Sequence, residues 1–407
     1  MDNNQEAFFE LLQVSLGNRD RLSRVPAAEE WKDIYEESGR QAVTGILLHG
    51  IDKLPAEQRP PQALLFQWIG VGQMIEQRNK VMDLRCKDLL EKLTEHGSRS
   101  SILKGQGIAQ LYDSELRQLR QSGDIDVYVD CGLKGALELA KSLGQHDLDW
   151  DYKHLHLNVW ADTEVEMHYR VEVLLNLWKN RKLQKWFKEH ENEIFNLNDN
   201  LNLNEGSLRL KSLENRIKNQ SRIRELENNT VTNTDGTDRT DGMTTPTVEF
   251  NVFYILLHIY RHFLYEGVGF RQVIDYYFVL KQLRVESLEL RDSSMLKESL
   301  AAVHKFGMEK FARGLMWVMQ KALGMNRDWM LWEPDQKEGE YILKQVMTGG
   351  NFGHHDKRLN HGGGKQSAVK AILTHNFHLV THYPSDVIWA PVWIVWHKLW
   401  KMTRRVG

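Results

Sequence analysis

The stretch Gly123-Asp124-Ile125-Asp126-Val127-Tyr128-Val129-Asp130 decides the fold. Polar and apolar residues alternate along it, and a period of two marks a half-buried strand. Ile125, Val127 and Val129 then face a core, while Asp124, Asp126 and Tyr128 face the other way. Two carboxylates this close on one open face repel by on the order of 4 kcal/mol at ~4 Å and an effective dielectric near 20, so the pair calls for a cation between its members. Gly123 permits a close backbone approach or an unusual turn at the strand's entrance. An Asp-x-Asp by itself is more often a solvated sheet edge than a site. Its surroundings tip the balance here.

Just upstream, Ser100-Ser101-Ile102-Leu103 reads as a short strand, and Lys104-Gly105-Gln106-Gly107 as a tight turn into a helix through Ile108, Leu111 and Tyr112. Downstream, Leu133, Leu137, Ala140 and Leu143 space out a helix that closes at Gly144. Two further alternating segments follow, His154–Val159 and Glu164–Tyr169. In the second, Val165, Met167 and Tyr169 face the core, leaving Glu164, Glu166 and His168 on the open face. If this strand shares a sheet with the aspartate strand, acidic face beside acidic face, three carboxylates converge.

Helical patterns flank this centre. Residues 1–96 form an N-terminal helical region, with stripes on Phe8, Leu11, Leu12 and Leu16, then Trp31, Ile34 and Tyr35, then a long amphipathic segment from Leu64 to Leu93 interrupted upstream by Pro55, Pro60 and Pro61. The sheet-bearing core spans 97–195. Between 196 and 247, Asn, Asp, Thr, Ser and Gly dominate, a low-complexity insertion with one charged helical pattern around 208–226. Residues 248–407 form a larger C-terminal helical domain, with His258 and His262 at i, i+4 spacing, a Gly/His-rich loop at His354-His355 and Gly362–Gly364, and Trp389, Trp393, Trp396 and Trp400 on one helical face ahead of Arg404 and Arg405. The fold class is α+β: a small mixed sheet between two sets of helices.

Composition removes several function classes. The 407 residues carry 53 Lys+Arg against 55 Asp+Glu, a formal net of -2, which gives no general electrostatic case for nucleic acid or an anionic membrane. Two cysteines, Cys86 and Cys131, make neither a disulfide framework nor a metal-binding spacing. The acidic first residues lack an apolar signal core and no run reaches the ~20 apolar residues of a membrane span, so a cytoplasmic protein is expected.

Leu103-Lys104-Gly105, Tyr112, Arg120-Gln121-Ser122-Gly123-Asp124-Ile125-Asp126 and Glu166-Met167-His168 together resemble the nucleotidyltransferase superfamily that includes DNA polymerase beta, and in particular its branch of uncharacterised bacterial nucleotidyltransferases. The likeness continues through His258, His262, Gly267, Gly269, Arg271-Gln272 and Asp275. It implies transfer of a nucleoside monophosphate from an NTP, ATP being the expected donor, to a hydroxyl of a protein or small molecule. Nucleic acid is the disfavoured acceptor, because no extended basic surface is present.

The chemistry suits these residue types. Two divalent ions about 3.5–4 Å apart can activate the attacking oxygen and stabilise the departing pyrophosphate. Mg²⁺ (or Mn²⁺) takes carboxylate and water oxygens, so Asp124 and Asp126 are the expected ligands and Glu166 completes the set. Relatives more usually carry Asp at the third position, and Glu164 competes for the role. Lys104, Gly105, Arg120 and Gly123 are the expected nucleotide-binding residues, the first two where backbone N–H groups and a helix N-terminus favour anions. Here Lys-Gly-Gln-Gly replaces the superfamily's usual Gly-Ser or Gly-Gly pair. Arg120 either holds phosphate or forms a structural salt bridge. His168 orients Glu166, touches the nucleotide, or is a satisfied surface histidine. His258, His262, Arg271 and Asp275 line the base or acceptor side, unless Arg271 and Asp275 are an ordinary i, i+4 helix pair. The C-terminal tryptophans lie in a membrane interface or, as Pro391 favours, pack on the helical domain or a partner. A non-catalytic nucleotide- or partner-binding module that keeps this fold is the alternative.

Overall fold

The structure is a computed structural model that describes residues 3–196, 243–285, 293–353 and 379–404. The helical pattern at 208–226, His354, His355, Gly362–Gly364 and Arg405 lie outside the described residues.

Four helices open the chain: α1 (Asn3–Ser15), α2 (Ala28–Arg40), α3 (Thr44–Lys53) and α4 (Gln62–Glu95). Pro55, Pro60 and Pro61 fall between α3 and α4, where a missing N–H and a fixed φ stop one helix and start the next. At 34 residues, α4 is about 50 Å long and serves two cores. Trp68 near its start packs with the other N-terminal helices, whereas Met82, Cys86, Leu89 and Leu93 near its end lie under the sheet.

The sheet has β1 (Ser100–Ile102), β2 (Ile125–Val129), β3 (His154–Trp160) and β4 (Thr163–His168) in the order β1-β2-β4-β3. β2 and β4 are parallel and the other two pairings antiparallel, so the sheet is mixed, as the sequence predicts. Ile125, Val127 and Val129 join Val165, Met167 and Leu155 on one face, against α4 and α5 (Gly132–Ser142). Gly107 lies so close under β1 that a Cβ there would stand 2.6 Å from the Ile102 carbonyl oxygen, which is why the turn after β1 needs glycine. The last residues of the low-complexity stretch return along this edge, where Thr244 accepts a hydrogen bond from the Ile102 N–H at 2.9 Å.

The opposite, polar face of the sheet is not open to solvent as the alternation suggests. Helix α6 (Leu177–Glu189) leads away, and α7 (Val248–Tyr265), mostly apolar and buried along nearly its whole length, faces it across a cleft that Ile255 and His258 line together with Asp126. Asp126 is 1% exposed and His168 fully enclosed. Behind α7 stand α8 (Phe270–Val285), α9 (Ser294–Lys305), α10 (Glu309–Leu323) and α11 (Gln336–Gly349). Phe270 at the start of α8 meets Phe8 and Phe9 of α1 with ring centroids 5.9 and 5.5 Å apart, so the first and last helical regions share one core.

The tryptophan helix α12 (Trp389–Met402) packs on both the helical domain and the sheet-bearing region: Ala390, Trp389 and Trp393 join the large helical core, and the other face of the stripe meets the sheet-bearing region. Trp393, Trp396 and Trp400 surround Tyr152 at 5.2, 4.9 and 4.9 Å, and Trp389 meets Trp178 of α6 at 5.0 Å. Edge-on aromatic contacts of this kind add about 0.5–1.5 kcal/mol each beyond the area they bury. No helix among the described residues is long and apolar enough to cross a membrane.

Candidate active site

Parallel pairing of β2 with β4 sets Asp126 directly opposite Glu166. Asp124 stands one step before β2, and ligand oxygens of the three carboxylates lie within 4.8 Å of one another. The cation such a cluster needs is supplied in part by the protein. Lys104, from the turn after β1, places Nζ 3.0 Å from Asp126 Oδ1, and His168 Nε2 lies 2.9 Å from the same oxygen and 3.2 Å from Glu166 Oε2.

These contacts set the protonation states. Burial alone would raise the pKa of Asp126, but Lys104 and the His168 hydrogen bond outweigh it and hold the carboxyl below its ordinary value. Glu166 is likewise held well down against burial, by His168 first and then Lys104. Asp124 goes the other way: the charge of Asp126, then burial, raises it. Burial would lower Lys104, yet Asp126, Asp124 and Glu166 prevail and keep it an ammonium. For His168 the hydrogen bonds to Asp126 and Glu166 overcome burial and raise the pKa. His168 is therefore neither exposed nor idle, and the surface-histidine reading is overturned. The competitor Glu164 points to solvent and pairs with His156 at 3.1 Å.

Arg120 is committed elsewhere. Its Nε and Nη2 reach both oxygens of Asp275 at 2.7 and 2.8 Å, and the Tyr112 hydroxyl donates to Asp275 at 2.7 Å. A bidentate pair of this kind fixes orientation as well as charge. It ties α8 to the loop before β2 and leaves Arg120 Nη1 buried without a hydrogen-bond partner, on a residue that borders the cleft. The i, i+4 pairing of Arg271 with Asp275 is thereby displaced, since Asp275 is taken by Arg120 and Tyr112. Arg271 donates to the Gln121 carbonyl at 3.1 Å, its Nε is unpartnered, and it lies 8% exposed beside the Phe352 ring at 5.3 Å. Burial and the neighbouring Arg120 lower its pKa. Gly123 lies beside this guanidinium, where a Cβ would stand at ordinary contact distance, 3.6 Å from Arg271 Nη1.

His258 and His262 do not form a metal pair. His258 Nδ1 lies 3.0 Å from Glu172 Oε2 and His262 Nδ1 2.7 Å from Glu266 Oε2. Burial, with Lys104 and His262 adding to it, puts His258 well below the ordinary histidine value, and burial lowers His262 as well. Sequence reasoning missed Glu172. It is fully buried, and its Oε1 is met by Arg261 at 3.1 Å and Lys153 at 3.6 Å. The signal was available: the alternation Glu164, Glu166, His168 continues through Arg170 to Glu172 beyond the strand's end.

The carboxylates stand where two cavities meet. One, a narrow cleft with about 30 Å³ of free space, is bordered by Lys104, Gly105, Arg120, Gly123 and Arg271 on one side and Asp124 and Asp126 on the other. The second, with about 320 Å³ of free space, runs from Asp124 and Glu166 past Lys153 and Arg261 to Tyr152 and Trp393. Phe352 borders both. It has a left-handed φ of 53°, a strained state for a bulky side chain. A Cβ at Gly267 would stand 2.6 Å from the Gly353 nitrogen, so this glycine, at φ 120°, lets the Phe352 loop approach.

An oxygen-only donor set with a cation already drawn to it suits a hard divalent ion such as Mg²⁺. In comparison with known proteins, residues 27–202 match the family model described as an uncharacterised nucleotidyltransferase. That segment runs from α2 through the whole sheet, so Lys104, Arg120, Asp124, Asp126 and Glu166 lie within it and Arg271 outside. Over these residues the resemblance read from the sequence stands, and it supports a general nucleotidyltransferase function; its continuation through His258–Asp275 lies beyond the match. No curated protein and no solved structure matches the chain.

Proposed function

We propose that this chain transfers a nucleoside monophosphate from an NTP, with ATP the expected donor, to a hydroxyl of a protein or small molecule. The observation that carries the reading is the meeting of Asp124, Asp126 and Glu166 at the junction of a cation-lined cleft and a second, larger cavity. The phosphates belong against the cation-lined wall of the first cavity, formed by Lys104, Arg120 and Arg271 where the helical turn after Gly105 begins, and the cleft must widen to admit them. The acceptor belongs in the second. Asp124, Asp126 and Glu166 would hold Mg²⁺ or Mn²⁺, which when bound draws charge from the attacking and departing oxygens.

The acceptor oxygen attacks the α-phosphorus, and the bond from that phosphorus to the pyrophosphate oxygen breaks. The hydroxyl proton passes to a carboxylate of the cluster or to water as the new bond forms. Glu166, held strongly acidic by His168 and Lys104, is a ligand and a poor base. Arg271, desolvated and without a carboxylate partner, gains most from an incoming phosphate.

The test is incubation with Mg²⁺, cell extract and ATP labelled at either the α- or the γ-phosphate. Transfer of α-label alone, lost in Asp124→Asn and Asp126→Asn, is expected. Transfer of γ-label would overturn the reaction type. Tight ATP binding with no transfer would favour the non-catalytic module, which the direct Lys104–Asp126 contact at 3.0 Å makes physically reasonable.

A further inference from the structure

Beside the carboxylate cluster the same sheet face carries His154, which nucleotidyl transfer leaves unused. The antiparallel register of β3 and β4 sets His154 opposite His168 and His156 opposite Glu166. We propose that His154, His168 and Glu166 Oε2 form a separate site for an imidazole-seeking divalent ion of the Zn²⁺ class, which shares Glu166 with the oxygen-only site.

Three observations carry this. The first is spacing. His154 Nδ1 lies 3.3 Å and His168 Nε2 3.2 Å from one oxygen, Glu166 Oε2, and the three ligand atoms all fall within 4.8 Å of one another. Ligands held at about 2.0–2.1 Å from a tetrahedral ion stand roughly 3.3–3.4 Å apart, so two edges of the tetrahedron are already present.

The second is direction. His154 Nδ1 makes no hydrogen bond although the carboxylate oxygen is so near, and His154 is only 8% exposed. Two ligands of one ion aim at the ion and not at each other, which gives a close but misaligned pair. The third is support: His156 Nε2 lies 3.3 Å from His154 Nε2. The far nitrogen of the ring is thus engaged and Nδ1 is left for an ion, the arrangement by which outer partners orient metal-binding histidines.

Without an ion, His168 Nε2 is shared between Asp126 and Glu166. Binding would draw it and Oε2 to the ion and leave Oε1 of Glu166 for the Asp124–Asp126 side. Imidazole favours Zn²⁺ and its neighbours, whereas Mg²⁺ takes oxygen, so the two sites would hold different ions.

The inference does not depend on transfer, because its test reads ion uptake. Untagged full-length protein is titrated with Zn²⁺ by calorimetry in excess Mg²⁺, and with Co²⁺ by visible absorption. The wild type should bind one equivalent more than His154→Ala and keep it against Mg²⁺. Loss of His154 should cost more than the roughly 10–100-fold that removal of an outer partner costs. His304→Ala, at an exposed histidine, should change nothing. Asp124→Asn should retain the Zn²⁺ equivalent, which separates this site from the proposed transfer centre. His154→Asn, near in shape, serves if the alanine variant fails to fold. Zn²⁺ uptake by either variant equal to wild type, or displacement by Mg²⁺, overturns the proposal.

Discussion

Replacing Lys104 with Met tests whether the ammonium stands in for an ion at the carboxylates. The two side chains are of similar length, so packing is nearly kept. What is lost is a charge 3.0 Å from the buried Asp126. At an effective dielectric of about 20 the direct attraction at that distance is roughly 5.5 kcal/mol. Part of it returns because the ammonium is no longer desolvated, and breaking a buried pair typically costs about 3–5 kcal/mol net. In a chelator at pH 7, Lys104→Met should therefore unfold at clearly lower urea than wild type.

Two features would identify the cause as charge. Excess Mg²⁺ should recover more stability in the variant than in wild type, since no ammonium has to be moved aside; an ion at 100 times its Kd contributes about 2.7 kcal/mol. Acid should narrow the gap. In wild type the depressed Asp126 gives stability that is present above its unfolded pKa near 3.9 and lost as pH falls through the lower folded value. In the variant the carboxylates lose their cation and their folded values rise, so protonation below about pH 5 relieves the repulsion. Equal unfolding of the two proteins in chelator, or a deficit unchanged by Mg²⁺ and by acid, would refute the argument.

Two further outcomes follow from the same electrostatics. Arg271→Met removes a desolvated guanidinium that has no carboxylate partner, so folding stability should be unchanged or rise by about 1–2 kcal/mol while ATP affinity falls at least about tenfold, read by urea unfolding and calorimetry. Stability should also fall steeply below pH ~6.5: burial holds His258 and His262 below their ordinary values and pushes His154 down to about 3, with His168 adding to the last. Each is neutral in the fold and protonated when unfolded in that window, so the unfolded state binds more protons. Three such groups give a slope of up to about 4 kcal/mol per pH unit, and His258→Asn should flatten it by about one third.

The sequence was most legible where its pattern is local. Alternation at Asp124–Val129 and Glu164–Tyr169 was enough to foresee two strands whose acidic faces meet, because strand periodicity assigns faces without knowledge of the rest of the chain. It does not say what lies over a face, so Asp126 and His168 read as open to solvent, whereas both are buried and α7, which starts 80 residues after His168, stands over the cleft beside them. Long-range pairing was illegible for the same reason. Arg271 and Asp275 look like helix partners by spacing, yet Arg120, distant in sequence, reaches Asp275 with better geometry, and Arg271 is left for the cleft. The tryptophan stripe was visible on its helix, but nothing near it in sequence points to Tyr152.

The pairing of Asp126 with Glu166 has a consequence for how the centre is protected. Neighbouring residues of a strand point to opposite sides, so sliding β4 by a single position would lift Met167 into the polar cleft and drive Glu166 down among Met82, Cys86 and Leu89. Such a slip would forfeit about 1.5–3 kcal/mol for each large apolar side chain uncovered and would sink a charge where nothing neutralises it. A misaligned molecule is thus not a feebler transferase but a chain that cannot hold its shape. The oily underside of the sheet proofreads the arrangement of its upper surface.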